Sequence, residues 1–390
     1  MTEWWLLLLP FAAASGWYAC AKRATKTTEN DHTPLFSKKY FTGLQYLLSE
    51  QDDKAVDLFV DMLKVDSETV ETHLALGHLF RKRGEVNRAI RIHQNLIARP
   101  QLTRSERAQA LLALGQDYMS AGMHDRAEHV FIELVMLNEQ TEKCLHNLLT
   151  IYQQEQAWEK AIDVASQISR YNGKSQHKQM AHFYCELAEL TIGNNDIMQA
   201  RRHLKRALAA DSQCVRASLL NAQIDMQARR YKNAIRHLLA VKHQDSAFLP
   251  EILPDLITCY EQTPQSYKLL DEITALLKEH PHIMLAIELT KQIEQEQGVE
   301  AASNFLTTQL AQRASLHGLQ HLLELQAQNI ALPYRDRLYD LAKVIRQLTT
   351  NAMAYQCIQC GFSSKKLHWQ CLGCKQWSTV KPIQTLEVPI

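Results

Sequence analysis

The sequence has few of the residues that interrupt helices and no excess of charge of either sign. Only 12 of its 390 residues are glycine and 10 are proline, and helix-forming residue types dominate. A largely helical chain of two or three folding units is therefore predicted. Because 43 basic residues balance 42 acidic ones, no strong electrostatic field would attract nucleic acid, and we expect no nucleic-acid partner.

Short motifs that carry common catalytic chemistry are also missing from the sequence. It contains no Gly-x-Ser-x-Gly, no His-Glu-x-x-His and no glycine-rich phosphate loop. Its 17 histidines are scattered, and His93 stands where a packing residue is expected, which favours a core histidine over a ligand. We therefore predict that the chain is not an enzyme and has no catalytic residues.

Two Cys-x-x-Cys pairs near the C-terminus form the most specific motif in the chain. Cys357 with Cys360, and Cys371 with Cys374, have a spacing at which four thiolates can close a tetrahedral site. Such a site would let a short tail fold without its own hydrophobic core. The four cysteines are predicted to bind one structural metal ion. Zinc is the expected metal, and iron, which binds the same four thiolates, is the alternative.

The residues around the cysteines fit a small metal-binding ribbon better than the alternatives. Two pairs this close together are unlike a lone redox dithiol, and disulfides would need an oxidising compartment. Four unliganded buried cysteines are a further alternative that the spacing disfavours. Gly361 and Gly373 are expected to supply φ-permissive turns in the two cysteine loops. An apolar shell around the ion is expected from Phe362, Trp369 and Trp377.

An uncharged run predicts a membrane-spanning helix at the N-terminus. Residues 4–21 carry no charge and have aromatic residues at both ends. As a helix they would extend about 27 Å, just enough to cross a bilayer core. Lys22 and Arg23 follow, so the positive-inside rule places the N-terminus in the periplasm and the bulk of the chain in the cytoplasm. The alternatives are a signal peptide, which normally has a positive region before the apolar run, and a lipoprotein anchor at Cys20.

The middle of the chain repeats with a period of about 34 residues. A small residue recurs on a first helix and an alanine on a second. The unit at residues 70–100 resembles the tetratricopeptide repeat, in which small residues let two helices pack closely. An all-α tetratricopeptide-repeat solenoid is therefore predicted. The second-helix alanines are Ala55, Ala89, Ala127, Ala161, Ala200 and Ala234, and the first-helix positions are Gly43, Gly77, Gly115, Leu149, Ala188 and Ala222.

The predicted domains follow the order of these motifs. Residues 1–22 form the transmembrane anchor and residues 23–35 a polar linker. Residues 36–245 form about six tetratricopeptide repeats. Residues 246–350, where the pattern weakens and prolines recur, form degenerate helical repeats. Residues 351–390 form the metal-binding module.

Stacked helix pairs create a concave groove lined by first helices, and such grooves bind proteins. Partner binding is therefore the default expectation for the array. The basic run from Arg81 to Arg91 is interpreted mainly as a solvated helix face, with a patch for an acidic partner or lipid headgroups as the alternative. The groove positions predicted in the first three repeats are Tyr40, Leu44, Leu74, His78, Arg81, Leu112, Gln116 and Met119.

Taken together, these features resemble the lipopolysaccharide assembly protein B family of Gram-negative bacteria. The resemblance covers essentially the whole chain, from a span ending in GWY (16–18), through basic residues and repeats, to the four-cysteine ribbon. Its most specific string is CGF…WQCLGCKQWSTVKPI (360–383). The others are LLSEQDDKAVDLFVDMLK (47–64), GEVNRAIRIHQ (84–94) and AHFYCELA (181–188).

The resemblance implies a single-pass inner-membrane adaptor without catalysis of its own. Such an adaptor regulates lipopolysaccharide synthesis by promoting degradation of the LpxC-type deacetylase by the FtsH-type protease. The family's rubredoxin-like ribbon, here Cys357, Cys360, Cys371 and Cys374, is needed for function. A membrane-embedded regulator that senses lipopolysaccharide is expected to contact residues 4–21. Binding to lipopolysaccharide transport proteins and the formation of a homodimer are left open by the sequence. The alternatives are a scaffold for lipopolysaccharide enzymes with no role in proteolysis, and an iron-containing electron-transfer module.

Overall fold

The computed structural model of the protein describes residues 41–43, 45–46, 49, 51, 54–55, 58, 70–173, 175–332 and 334–383. From Val70 onward, the described residues form sixteen α-helices followed by a three-stranded sheet. The chain falls into two compact units that divide between Ile151 and Tyr152. The predicted anchor and linker, and the groove positions Tyr40 and Leu44, lie outside the described residues.

The first unit is built from consecutive helices that pack on their neighbours in sequence. Helix α2 packs against both α1 and α3, and α3 packs against α4. A capping box in which Thr103 and Glu106 bond each other's backbone begins α3, which satisfies N–H groups that a helix start leaves unpaired. The helices are α1 (Val70–Lys82), α2 (Val86–Ile97), α3 (Arg104–Ser120), α4 (His124–Met136) and α5 (Thr141–Gln154), whose last residues belong to the second unit.

The repeat register predicted from alanine spacing agrees with side-chain burial. All six second-helix alanines, from Ala55 to Ala234, are 0% exposed. On the first helices, a Cβ atom at Gly77 would overlap the His93 ring, and one at Gly115 would lie 2.5 Å from the Phe131 ring. The glycines therefore let a large side chain of the second helix pack directly on the first helix.

A Gly115→Ala substitution is expected to lower the unfolding free energy by about 1–3 kcal/mol, as overpacking of a filled core does. Phe131 is 0% exposed and cannot move away from the added methyl group. Gly193→Ala is the matched control, because nothing lies within 4 Å of its Cβ position. That change should be neutral or stabilising by up to about 1 kcal/mol. Thermal unfolding of the two variants measures the difference, and equal midpoints would contradict the proposed packing.

The second unit continues the helical hairpins to the end of the array. Helix pairs α7/α8, α9/α10, α13/α14 and α15/α16 each pack together. The region predicted as degenerate is helical throughout its described part, with Pro254 inside α11. The helices are α6 (Trp158–Asn172), α7 (His177–Gly193), α8 (Ile197–Ala210), α9 (Val215–Gln227), α10 (Tyr231–Gln244), α11 (Leu249–Glu261), α12 (Lys268–Glu279), α13 (Ile283–Gln297), α14 (Val299–Gln312), α15 (Leu316–Gln328) and α16 (Tyr334–Asn351).

The C-terminal sheet is short and its central strand is the first in sequence. Strand β1 (Tyr355–Cys357) pairs antiparallel with β2 (Ser363–Ser364) on one side and with β3 (Val380–Pro382) on the other. Strands of two or three residues bury too little surface to be stable alone. The sheet therefore needs another source of stability, which the cysteines it carries can supply.

The predicted single-pass localisation is wrong for the part of the chain that the structure describes. None of the described helices is long and apolar enough to cross a membrane. The longest of them, α16 with 18 residues, carries several charges, among them Arg335, Asp336 and Lys343. Each such charge would cost about 3 kcal/mol at a bilayer centre. Residues 4–21, on which the prediction was based, lie outside the described residues.

Candidate metal centre and its contacts with the helices

The two cysteine loops of the ribbon share one backbone hydrogen-bond pattern. The Cys357 N–H donates to Phe362 O at 2.8 Å, and the Cys371 N–H donates to Gln376 O at 2.9 Å. Four residues after each of these cysteines, the N–H of Gly361 or Lys375 donates back to the cysteine carbonyl at 2.9 Å. Both of these residues have positive φ, +75° and +58°. The chain therefore forms two equivalent knuckles that aim their sulfurs at one point.

Gly373 has a different role from the one predicted. It is not in the positive-φ region, which Lys375 occupies in the second knuckle. A Cβ atom at Gly373 would instead lie 3.4 Å from Cys360 Sγ and 3.4 Å from Phe362 Cβ. The position needs glycine because the facing knuckle is close, and the prediction of a φ-permissive turn holds only for Gly361.

The four predicted ligand sulfurs come together in the structure. All four lie within 4.8 Å of one another. Cys357 Sγ is 3.7 Å from Cys374 Sγ, and Cys360 Sγ is 3.6 Å from Cys371 Sγ. A tetrahedral ion with metal–sulfur bonds of about 2.3 Å would space its sulfurs about 3.8 Å apart. The arrangement therefore fits a single metal ion, zinc or iron, with four thiolates and no open coordination position.

The acid–base properties of the sulfurs also favour a bound cation. At Cys357, burial opposes ionisation, but the Thr379 hydroxyl and backbone N–H groups outweigh it and lower the pKa to about 6. At Cys374, a Gln376 N–H lowers the pKa, but burial and the neighbouring sulfurs outweigh it and raise it to about 11. Four crowded sulfurs cannot all carry negative charge unless a cation is among them.

Aromatic side chains of the ribbon pack on the helices and do not form the shell predicted around the ion. Trp377 is 8% exposed and stacks on His182 with a centroid distance of 5.0 Å. It also meets Phe183 edge-on at 5.8 Å and Trp158 at 6.3 Å. Trp369 stacks on Phe248 at 5.5 Å. Of the three predicted shell residues, Phe362 alone packs in the cluster that contains Cys357 and Cys371.

Polar contacts surround these rings and fix the orientation of the ribbon. Trp377 Nε1–H donates to Gln153 Oε1 at 3.0 Å. The Tyr355 hydroxyl donates to Glu251 Oε1 at 2.8 Å. An ion pair joins Lys381 to Asp245. Side chains from the end of α5, from α6 and α7, and from residues 245–251 thus contact one small domain, and all of these residues belong to the second unit.

His182 links helix α7 to the ribbon through a partly buried hydrogen bond. Its Nε2 atom lies 2.6 Å from Ser378 Oγ, and its Nδ1 atom has no hydrogen-bond partner among the described residues. Burial, with smaller contributions from Arg216 and Lys381, lowers the pKa of His182 to about 3. The imidazole that stacks on Trp377 is therefore neutral at pH 7.

Acidification below pH 6.5 is expected to weaken the contact between ribbon and helices through His182. The folded pKa lies below the ordinary value of 6.5, so the unfolded state binds the proton more strongly between these values. Stability contributed by the neutral ring is complete above pH 6.5 and falls as pH falls. The loss should reach about 2 kcal/mol at pH 5. Unfolding free energies measured at both pH values test this in the full chain.

The matched variants for this prediction are His182→Gln and His177→Gln. Glutamine at position 182 can still bond Ser378 but does not titrate, so most of the pH dependence should disappear. His177 is exposed at the start of α7, and its replacement should leave the pH dependence unchanged. An identical pH dependence in wild type and His182→Gln would show that another group is responsible.

The predicted groove residues of the second and third repeats form a polar network on α1 and α3. Arg81 donates to Asp117 Oδ1 at 2.6 Å and to Gln116 Oε1 at 2.9 Å, and lies 2.9 Å from His78 Nδ1. His78 is exposed, and Met119 and Gln116 are half-buried. Leu112 is 8% exposed and Leu74 packs in a core cluster, so these two residues mainly serve packing.

Asp117 joins this network to the core histidine. Its Oδ2 atom lies 2.5 Å from His93 Nδ1, and both side chains are 0% exposed. The interpretation of His93 as a core histidine is therefore confirmed. Arg81 is held by buried acceptors, whereas the other basic residues of its run, from Lys82 to Arg91, are exposed.

Comparison with known proteins shows which family models the chain matches and which proteins it is similar to. A family model described as Rubredoxin metal binding domain matches residues 355–382, and one described as Tetratricopeptide repeat matches residues 72–105. The chain is 39% identical to Lipopolysaccharide assembly protein B of Escherichia coli (strain K12), over 99% of this chain and 100% of the relative. The protein of the same name from Haemophilus influenzae (strain ATCC 51907) is 35% identical over the same shares. A crystal structure of MamA protein gives a TM-score of 0.35 and 19% identity, covering 46% of this chain and 92% of that chain.

Proposed function

Because this chain belongs to the lipopolysaccharide assembly protein B family, we propose that it regulates lipopolysaccharide synthesis as an adaptor without catalytic chemistry. The observation that carries the proposal is the full-length similarity to relatives whose name describes lipopolysaccharide assembly. The architecture supports it, since repeat arrays of helix pairs present extended concave surfaces to other proteins. A four-thiolate site with no open position suits a structural ion better than a catalytic one.

The adaptor's proposed cargo is the LpxC-type deacetylase of the lipid A pathway, and its proposed destination is the FtsH-type protease. Holding both proteins on one chain raises their effective concentration for each other, which accelerates proteolysis without new chemistry. The ribbon is joined to helices of the second unit by its contacts with Gln153, Asp245 and Glu251. The contacted part of the second unit is therefore pre-organised, which lowers the entropic cost of binding there.

The surface that we propose for the deacetylase is the α1–α3 face of the first unit, which carries His78, Gln116 and Met119. These side chains are exposed or half-buried, and the buried acceptor Asp117 holds Arg81 beside them. Replacement of both His78 and Met119 by alanine should weaken deacetylase binding at least tenfold, or about 1.4 kcal/mol. His129→Ala, on the exposed face of α4, is the control and should bind like wild type.

The test of the function is the half-life of the deacetylase in the cells that encode this chain. Depletion of the chain should lengthen that half-life several-fold, and restoring the wild-type chain should reverse the effect. The scaffold alternative makes the opposite prediction. If lipopolysaccharide synthesis fails on depletion while the deacetylase half-life stays constant, the chain organises enzymes and has no role in proteolysis.

A further inference from the structure

The segment that forms α8, α9 and α10 carries an excess of positive charge, unlike the chain as a whole. Residues 197–244 contain ten Lys and Arg residues and two Asp residues. Asp225 is 1% exposed, and Asp211 accepts the Gln213 N–H in the turn after α8. One of the two carboxylates is therefore buried and the other is engaged at a helix end, so neither balances the charge on the outer sides of α8 and α10.

The basic side chains of α8 and α10 lie on the sides that face away from the core. On the opposite sides, Ala200 and Ala234 are 0% exposed. Of the basic residues, Arg230 forms an ion pair with Asp225, and the others pair with no carboxylate among the described residues. The exposed basic residues, which we call the α8–α10 basic face, are Arg202, Lys205, Arg206, Arg230, Lys232 and Arg236.

The buried carboxylate of Asp225 joins the two helices into one face. Its Oδ1 atom accepts a hydrogen bond from Arg201 of α8 at 2.7 Å and lies 3.1 Å from Arg230 Nε, just before α10. Its Oδ2 atom lies 3.5 Å from His237 Nε2 of α10. One negative charge thus holds two guanidinium groups, and the side chain of Arg230 is still 50% exposed. The junction between the helices therefore stays positive.

The spacing of these charges is unfavourable for the helices alone. Arg202 and Arg206 on α8, and Lys232 and Arg236 on α10, are like charges four residues apart. Such pairs destabilise a helix, whereas a carboxylate at one of the two positions would stabilise it. A face that only met solvent would gain from mixed signs. The arrangement therefore favours a surface that binds a negatively charged partner.

Carboxylates on both sides limit the width of the basic face. On the α6 side, burial and a smaller contribution from Arg206 lower the pKa of His203, and the nearby carboxylate of Glu159 opposes this shift. On the α12 side, Lys242 of α10 lies 3.8 Å from Glu272 and 4.0 Å from Glu279. A flat anionic bilayer would meet these carboxylates as well and be repelled by them. A narrow acidic segment can avoid them.

The face also lacks the rings that nucleic acid stacks on. No Phe, Tyr or Trp is among the exposed residues of α8 and α10, whereas surfaces for single-stranded nucleic acid interleave basic groups with aromatic side chains. Carboxylates of a protein need no such rings, because they pair directly with guanidinium and ammonium groups. The chemistry of the face therefore fits Asp and Glu side chains best.

We propose that the α8–α10 basic face binds an acidic segment of a protein partner. Helix α8 has 14 residues and is about 21 Å long, so an extended segment of roughly six residues covers it. Several Asp or Glu residues of the segment pair with the basic groups of both helices. The face is formed by other helices than the α1–α3 face, and its assignment does not depend on the deacetylase.

Binding of a labelled peptide of eight glutamates to the full chain tests this proposal. The net charge of the chain is only +1, so tight binding requires a local basic surface. The glutamate peptide should bind at least tenfold more tightly than a peptide of eight glutamines, and its binding should weaken as salt is raised, because salt screens exposed charges. Equal binding of the two peptides would overturn the proposal.

Matched charge reversals locate the site. Lys205→Glu combined with Lys232→Glu should weaken binding of the glutamate peptide at least tenfold. Lys178→Glu combined with Lys343→Glu, at exposed positions of α7 and α16, makes the same change in net charge and should leave binding within twofold of wild type. Circular dichroism checks that both variants are folded, and the milder Lys205→Gln with Lys232→Gln should still weaken binding about threefold. Equal weakening by the two reversals would mean that the peptide responds to net charge, and the proposed site would be wrong.

Competition with other anions identifies the class of partner. Vesicles of phosphatidylcholine and phosphatidylglycerol, and a single-stranded DNA of eight nucleotides, are added at a concentration of negative charge equal to that of the glutamate peptide. Neither should displace the peptide. Displacement by the vesicles or by the DNA would assign the face to a membrane or to nucleic acid and overturn the proposal. Because these assays contain neither deacetylase nor protease, their failure would leave the proposed adaptor function untouched.

Discussion

A Cys371→Ser substitution is expected to abolish metal binding and to unfold residues 355–382. Cys371 is 0% exposed, and its sulfur lies 3.6 Å from that of Cys360, so serine would leave three crowded thiols and no complete site. Binding of a structural zinc ion contributes about 10–16 kcal/mol to folding in small domains. Strands of two or three residues cannot replace a contribution of that size.

The experiment measures metal content and tryptophan fluorescence of the full chain. Wild type should contain one ion per chain, which is red for iron–thiolate coordination and colourless for zinc. The variant should contain none, and Trp369 and Trp377 should become exposed to water. Helical circular dichroism should largely remain, because the helices of the first unit have their own cores. Lys365→Ser, an exposed change in the same ribbon, should keep the ion. A full complement of metal in Cys371→Ser would exclude the four-thiolate site.

The same variant separates the metal centre from the proposed adaptor role. If the adaptor needs the folded ribbon, Cys371→Ser should fail to shorten the deacetylase half-life when it replaces the wild-type chain. A metal-free variant that still lowers deacetylase levels normally would show that the ribbon is not needed for adaptor function. Metal content and deacetylase half-life thus test the metal site and the adaptor role independently of each other.

The metal ligands could be predicted because everything that defines them is local in sequence. Two Cys-x-x-Cys pairs within 18 residues set both the ligand type and the loop geometry. The helical repeats were predictable for a similar reason, since each repeat contacts mainly its sequence neighbours and shows its small positions at a fixed period. Gly77 and Gly115 illustrate this, because their packing partners lie one helix further on.

The surface that holds the ribbon could not be predicted in this way. Its contacts join residues far apart in sequence: Gln153 to Trp377, separated by 224 positions, and Glu251 to Tyr355, separated by 104. No local period relates such pairs. Nearness to the cysteines in sequence predicts that Trp369 and Trp377 lie beside the ion, whereas tertiary packing places them against Phe248 and His182.

The spacing of residues in the sequence also predicts the wrong role for Gly373. Gly361 and Gly373 both lie next to a ligand cysteine, and glycine usually marks a positive φ in such loops. In the second knuckle that conformation falls on Lys375, four residues after Cys371. The small size of Gly373 is required by Phe362 and Cys360 of the other knuckle, a contact that only the folded pair of knuckles creates.

A Trp377→Ala substitution is expected to detach the ribbon from the helices while leaving its metal ion in place. Trp377 contacts three rings, of Trp158, His182 and Phe183, and donates a hydrogen bond to Gln153. Truncating a buried aromatic side chain of this size costs about 3–5 kcal/mol. The contacts that remain are the stacking of Trp369 on Phe248 and polar bonds that are partly exposed and weaker. We expect them not to hold the ribbon against that loss.

Metal content together with limited proteolysis distinguishes detachment from unfolding. Trp377→Ala should keep one ion per chain but become cleavable at residues 352–354, between α16 and β1, many times faster than wild type. Leu372→Ala, which shortens a side chain of the ribbon that is 51% exposed, should be cleaved at the wild-type rate.

Loss of the ion from Trp377→Ala would mean that the helices help to fold the metal site. Unchanged cleavage would mean that the other contacts hold the ribbon without Trp377. These are the stacking of Trp369 on Phe248, the ion pair of Lys381 with Asp245 and the hydrogen bond of Tyr355 to Glu251. Because detachment without metal loss leaves the ribbon folded but no longer packed on the helices, this variant tests whether the adaptor needs the ion itself or the packing of the ribbon on the second unit.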